Sequence, residues 1–125
     1  MSTKILIVDD NEKNISLMEL LLKHAGYSVI SASNGADALE VARLELPGLI
    51  LMDIQMPEMD GFDAAHAIFS DELTCNIPVI GISAYASPGT RERALRLGMV
   101  GFFEKPINRE QFVNQVKNFL TSAHS

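Results

Sequence analysis

A chain of 125 residues with 47% hydrophobic content has room for one domain with a real core and little for a second, so residues 1–125 are expected to form a single domain. A formal net charge of -6 and an isoelectric point near 4.9 argue against a nucleic-acid or anionic-membrane surface, because phosphate groups select a basic face. The single cysteine, Cys75, excludes an internal disulfide or a cysteine metal site, and MSTKILIVDD has too few apolar residues for a signal peptide or membrane span; a cytoplasmic protein is expected.

Lys4 to Val8 is an apolar run without alternation, which predicts a strand buried on both faces that stops at Asp9 and Asp10. Asn11 can cap a helix from about Glu12 to Ala25, with Ile15, Met18, Leu22 and Ala25 on one stripe and Gly26 in the left-handed position that ends it. Tyr27 to Ala32 predicts a second strand. Asn34, with Asp37 three residues on, starts a helix to about Glu45 that Pro47 prevents from continuing. Leu49 to Met52 are four apolar residues in a row, a buried strand running into Asp53 and then a Pro-containing loop.

Asp60 can cap a third helix over Gly61 to Ser70, followed by a polar loop in which Cys75 reads as a small apolar filler. Pro78 to Ile82 predicts a fourth strand ending at Ser83 and Ala84. Ser87 and Pro88 suit the cap and first position of a fourth helix to Leu97, closed by Gly98. Met99 to Phe103 predicts the fifth strand, ending at Glu104, Lys105 and Pro106. Asn108 with Gln111 resembles a capping box for the last helix, whose Phe112, Val113, Val116, Phe119 and Leu120 share a face; Thr121 to Ser125 are expected to fray. Strict alternation of five strands with five helices predicts a doubly wound α/β domain with parallel strands and right-handed crossovers.

Sheets of this kind carry their sites at the carboxyl ends of the strands, and those ends here hold Asp9, Asp10, Asp53, Ser83 and Lys105. A buried aspartate needs a cation, a proton or a covalent partner. Three carboxylates about 5 Å apart repel by roughly 3 kcal/mol per pair at an effective dielectric of about 20, which a divalent cation with all-oxygen ligands, magnesium or manganese, would relieve. Lys105 adds a fixed positive charge and Ser83 a donor for phosphoryl oxygens, so the set suits phosphoryl transfer to Asp53. Each acid taken alone also reads as a turn or cap residue. Their joint placement at successive strand ends carries the argument. Phe102 and Phe103 should face opposite sides of the last strand, and His24, His66 and His124 lack a shared metal spacing and read as surface residues.

The segments ILIVDDN, LILMDIQMPEMDG, PVIGISA and GFFEKPI resemble, across essentially the whole chain, the motifs of the response-regulator receiver domain, the flavodoxin-like module of two-component signalling. The resemblance implies a five-stranded sheet in the order 2-1-3-4-5, Asp53 as phosphoacceptor, and magnesium held by Asp10, Asp53 and the Gln55 main-chain carbonyl with Asp9 acting through water. It further implies Ser83 as the switch hydroxyl, Lys105 as the phosphate-binding lysine on a cis peptide to Pro106, and Phe102 as the switch aromatic in place of a commoner tyrosine. The implied partners are a sensor histidine kinase or histidine phosphotransfer protein and a downstream protein target, with the domain a monomeric switch that catalyses its own phosphorylation and dephosphorylation. The opening ILIVDDNEKN is similar both to single-domain cell-cycle regulators of the DivK type and to receivers of hybrid histidine kinases. Two other classes fit less well: a haloacid-dehalogenase-type phosphatase wants a second acid where Gln55 stands, and a flavodoxin wants a hydroxyl- and glycine-rich phosphate loop where Asp9 and Asp10 stand. A scaffold lacking phosphoryl chemistry would have lost an acid, the hydroxyl or the lysine, and none is missing.

Overall fold

The computed structural model of the chain describes residues 3–55, 61–84, 88–105 and 108–123. Five strands, β1 (Lys4–Val8), β2 (Ser28–Ala32), β3 (Leu49–Asp53), β4 (Val79–Ser83) and β5 (Gly101–Glu104), alternate with α1 (Glu12–His24), α2 (Gly35–Glu45), α3 (Gly61–Ser70), α4 (Pro88–Leu97) and α5 (Arg109–Ala123). All strand pairs are parallel, in the order β2-β1-β3-β4-β5. The doubly wound architecture follows from the burial pattern. Along β1 and β3 successive side chains point to opposite faces: Leu6, Val8, Ile50 and Met52 enter a core with Ala38, Ala65, Ile68 and Ala94 of α2, α3 and α4. Ile5, Ile7, Leu49 and Leu51 enter the other, with Met18 and Leu22 of α1 and Phe112, Val116 and Leu120 of α5. β3 sits at the centre with Leu49 to Met52 fully buried. At roughly 2 kcal/mol per fully buried side chain, this strand is a firm base for the acid at its end.

Local chemistry sets the helix ends. The Asn11 side chain accepts from the Lys13 and Asn14 N–H groups, Asn34 from Asp37, and Asn108 from Gln111 at 3.0 Å, so three of the expected caps form. Gly26 and Gly98 take positive φ, as their places after α1 and α4 require. α2 ends at Glu45, ahead of Pro47, as expected. Leu46, the residue before the proline, leaves the right-handed helical region for the left-handed conformation at φ 45°, and its N–H closes on the Ala42 carbonyl.

Several boundaries move. β4 runs Val79–Ser83, so Ser83 is the last residue of the strand rather than the first of the loop, and β5 begins at Gly101, with the Val100 N–H already on the Val79 carbonyl. β2 starts at Ser28, α1 stops at His24 with Ala25 as its C-cap, and α5 extends to Ala123, into the stretch expected to fray. Cys75 is exposed, not an apolar filler; its loop is pinned instead by the buried Thr74, whose hydroxyl donates to the Ile68 carbonyl at 2.6 Å. The caps expected at Asp60 and Ser87, the peptide from Lys105 to Pro106, and His124 lie outside the described residues. No helix among the described residues is long and apolar enough to cross a membrane.

Candidate functional site

Register assembles the site. Val8 pairs with Met52 and Asp53 with Ile82, so the residues just past β1, the end of β3 and the end of β4 are laid side by side at one edge of the sheet. Asp9 and Asp53 are 0% and 2% exposed, whereas Asp10, one residue on, points out. Each buried acid is held in the same way, by an Asx turn: the Asn11 N–H donates to Asp9 Oδ1 and the Gln55 N–H to Asp53 Oδ1, both at 2.9 Å. From β5, Lys105 reaches back across the sheet end, its Nζ 3.3 Å from Asp9 Oδ2 and 3.2 Å from Asp53 Oδ2. The lysine leaves β5 just where its own N–H donates to the Ser83 carbonyl at 2.8 Å.

Carboxylate oxygens of Asp9, Asp10 and Asp53 lie within 4.8 Å of one another. At an effective dielectric of about 20 each pair of these carboxylates repels by about 3 kcal/mol, and one lysine offsets only one of the three negative charges. Burial, the leading cause, together with the field of Asp9 pushes the Asp53 carboxyl up to about 6, against the opposing pull of the Gln55 N–H and Lys105. Burial disfavours the charged form of Lys105, yet the neighbouring Asp53 and Asp9 carboxylates outweigh it and raise its pKa. With the acids ionised, the pocket has a net charge near -2 and offers only oxygen donors, which fits a hard divalent cation.

Asp9, Asp10, Asp53 and Lys105 therefore converge as expected. Ser83 is fully buried at the end of β4, the strand next to β3, and Phe102 lies on β5 opposite Gly81. Phe102 is partly buried against the α2–α3–α4 core, beside Gly81 and Met99, with the Arg91 guanidinium 5.8 Å from its ring centroid. Phe103 faces the other way, packing edge-on to Phe112 and Phe119. His24 and His66 are exposed. Sequence reasoning missed the Asn11 N–H and the Gln55 side chain, whose Oε1 accepts from the Ala84 N–H at 3.2 Å. The Asn11 contact was open to discovery, because an aspartate at a strand end turns readily onto the N–H two residues on. The Gln55 contact spans 29 residues and carries no local signal.

A parallel 2-1-3-4-5 sheet with paired acids at the ends of β1 and β3 and a lysine arriving from β5 defines a signalling receiver rather than a nucleotide-binding α/β domain. The chain belongs to the response regulator receiver domain family of two-component systems, whose match spans residues 5–117. It is similar to the polar-differentiation response regulator DivK of Brucella anthropi, 38% identical over 123 residues that make up 98% of this chain and 100% of the relative. Among solved structures, the chemotaxis protein CheY4 of Vibrio cholerae superposes with a TM-score of 0.90 at 27% identity, over 94% of this chain and 98% of that one. The receiver domain of a sensor histidine kinase from Pseudomonas aeruginosa, solved with a magnesium ion coordinated in its active-site cleft, gives 0.87 at 30% identity, over 97% and 99%.

Proposed function

We propose that this receiver accepts a phosphoryl group on Asp53 from a phosphohistidine of a kinase or phosphotransfer protein, and that the modification changes partner binding on the face formed by α4, β5 and α5. The observation that carries the proposal is the buried Asp53 carboxylate, bridged to Asp9 by a single lysine within a surplus of negative charge. Asp9, Asp10 and Asp53, with the Gln55 main-chain carbonyl, would hold magnesium or manganese. When bound, that cation offsets the charge of the acids and of the incoming phosphoryl group. The remaining work falls to the protein's own groups. Asp53, ionised at neutral pH, supplies the carboxylate oxygen that forms the new O–P bond as the N–P bond of the donor breaks. Lys105, already on Asp53 Oδ2, needs only to swing from carboxylate to phosphoryl oxygen to neutralise part of the transferred charge. Ser83, at the end of the strand next to Asp53, would donate its hydroxyl to another phosphoryl oxygen.

Incubation with magnesium and acetyl phosphate, followed by intact mass measurement, tests this. One added phosphoryl group is expected in the wild type and none in Asp53→Asn. Labelling that persists in Asp53→Asn overturns the assignment.

A further inference from the structure

The peptide unit joining Ser83 to Ala84 is held at both ends. Its carbonyl accepts from the Lys105 N–H at 2.8 Å, and its N–H donates to Gln55 Oε1 at 3.2 Å. Gln55 is itself tied to the acid, since its main-chain N–H is the one on Asp53 Oδ1. One residue thus joins Asp53 to the start of the segment between β4 and α4. We propose that the Gln55 side chain is a positioning residue that occupies the Ala84 N–H in the resting state and must give it up before a phosphoryl group on Asp53 can use that donor.

The inference rests on the reading of Asp53 as phosphoacceptor and adds what sets the balance between its two states. Ala84 carries the first main-chain N–H beyond the end of β4, the strand paired with β3 at Asp53 and Ile82, so a phosphoryl group on Asp53 is carried toward it. An anionic phosphoryl oxygen is a stronger acceptor than a neutral amide oxygen, so it can displace Gln55. Gln55 is exposed, so its released amide is solvated at once and the competition costs only the hydrogen bond. The length of the residue matters as well. Asparagine, one methylene shorter, draws its oxygen back from Ala84, methionine keeps the length with only a weak acceptor, and glutamate keeps both the length and the acceptor.

The test follows the Ala84 amide by NMR in the magnesium-loaded domain without phosphodonor, in wild type, Gln55→Met, Gln55→Asn and Gln55→Glu. Exchange of the Ala84 amide with water is expected to accelerate several-fold in the methionine and asparagine variants and to stay near wild type in Gln55→Glu. Beryllofluoride, titrated with magnesium present, is expected to bind Gln55→Met about fivefold more tightly, which is roughly the worth of one neutral hydrogen bond no longer competing. Unchanged Ala84 exchange in Gln55→Met and Gln55→Asn, or beryllofluoride affinity equal to or below wild type in Gln55→Met, overturns the proposal while leaving the phosphoacceptor reading in place. Wild type that takes up neither beryllofluoride nor a phosphoryl group overturns both.

Discussion

Asp53, the proposed phosphoacceptor, is also a local defect in the stability of the fold. Its carboxyl titrates near 6 in the folded chain against an ordinary value of 3.8, so between those pH values the folded state holds a proton that the unfolded state has lost. Raised affinity for the proton means that Asp53 weakens the fold progressively as pH climbs through that window. Above about pH 6 the full penalty applies, on the order of 2 to 3 kcal/mol, because deprotonation leaves a second buried anion beside Asp9. Asp53→Asn removes that charge and keeps the shape, and Lys105 retains Asp9 as its partner. In the presence of a metal chelator, the variant is expected to be more stable than wild type by roughly 2 kcal/mol at about pH 7.5, with the difference closing by about pH 4. Urea unfolding at the two pH values measures it. A wild type more stable than the variant at the higher pH would show that Lys105 already neutralises Asp53.

Elements meet the site through close contacts that a single methyl group can break. α3 begins at Gly61, whose N–H donates to the Ile54 carbonyl at 3.2 Å, and a Cβ there would overlap the Asp53 carbonyl oxygen and the Ile54 Cα. Main chain on both sides leaves nothing flexible to yield. Gly61→Ala is expected to push α3 away from the end of β3, costing roughly 2 to 4 kcal/mol and weakening magnesium binding with it. The far end of α2 is a contrasting case. Leu46 holds a left-handed φ of 45° and is 55% exposed, so its conformation costs more than its packing returns. Leu46→Gly is expected to raise stability by about 0.5 to 1 kcal/mol without touching the site, because relief of the left-handed strain exceeds the extra freedom of the unfolded chain. Thermal unfolding of both variants, with and without magnesium, separates a general loss of stability from a loss of the metal site.

Across the whole molecule, the proposed route from Asp53 to the face formed by α4, β5 and α5 runs through two neighbouring strands. The end of β4 carries Ser83 and Ala84. β5 carries Phe102, whose ring lies beside Gly81 of β4 and under Arg91 of α4. If Ser83 is drawn toward a phosphoryl group, the space it leaves lets Phe102 turn inward, and the surface built by α4, β5 and α5 changes with it. Shifting such an equilibrium from mostly resting to mostly active takes several kcal/mol of differential interaction, a sum that the lysine, hydroxyl and metal contacts can supply. Amide spectra with and without beryllofluoride are expected to show shifts at Phe102 and along α4 in wild type, with Ser83→Ala losing the distant shifts while keeping those near Asp53. Changes confined to the strand-end loops in wild type would rule out the switch.

The strands and helices were legible because their signals are local. Uninterrupted apolar runs mark β1, β3 and β4 as central, an asparagine opens each of α1, α2 and α5, and acids placed just past successive apolar runs point to a common edge. Even the grouping of Asp9, Asp10, Asp53 and Lys105 could be inferred, since parallel strands in a doubly wound sheet bring their carboxyl ends together. What depended on packing was finer. The reach of β4 over Ser83 and the Gln55 bond to Ala84 arise from segments distant in the chain being pressed together, while the exposure of Cys75 and the left-handed turn at Leu46 are local features that the residue types alone do not announce. Asp9 and Asp10 make the same point most simply. Adjacent and chemically identical, they differ because the pleat and the reach of Lys105 bury one and leave the other in water, and that division is a property of the folded sheet rather than of either residue.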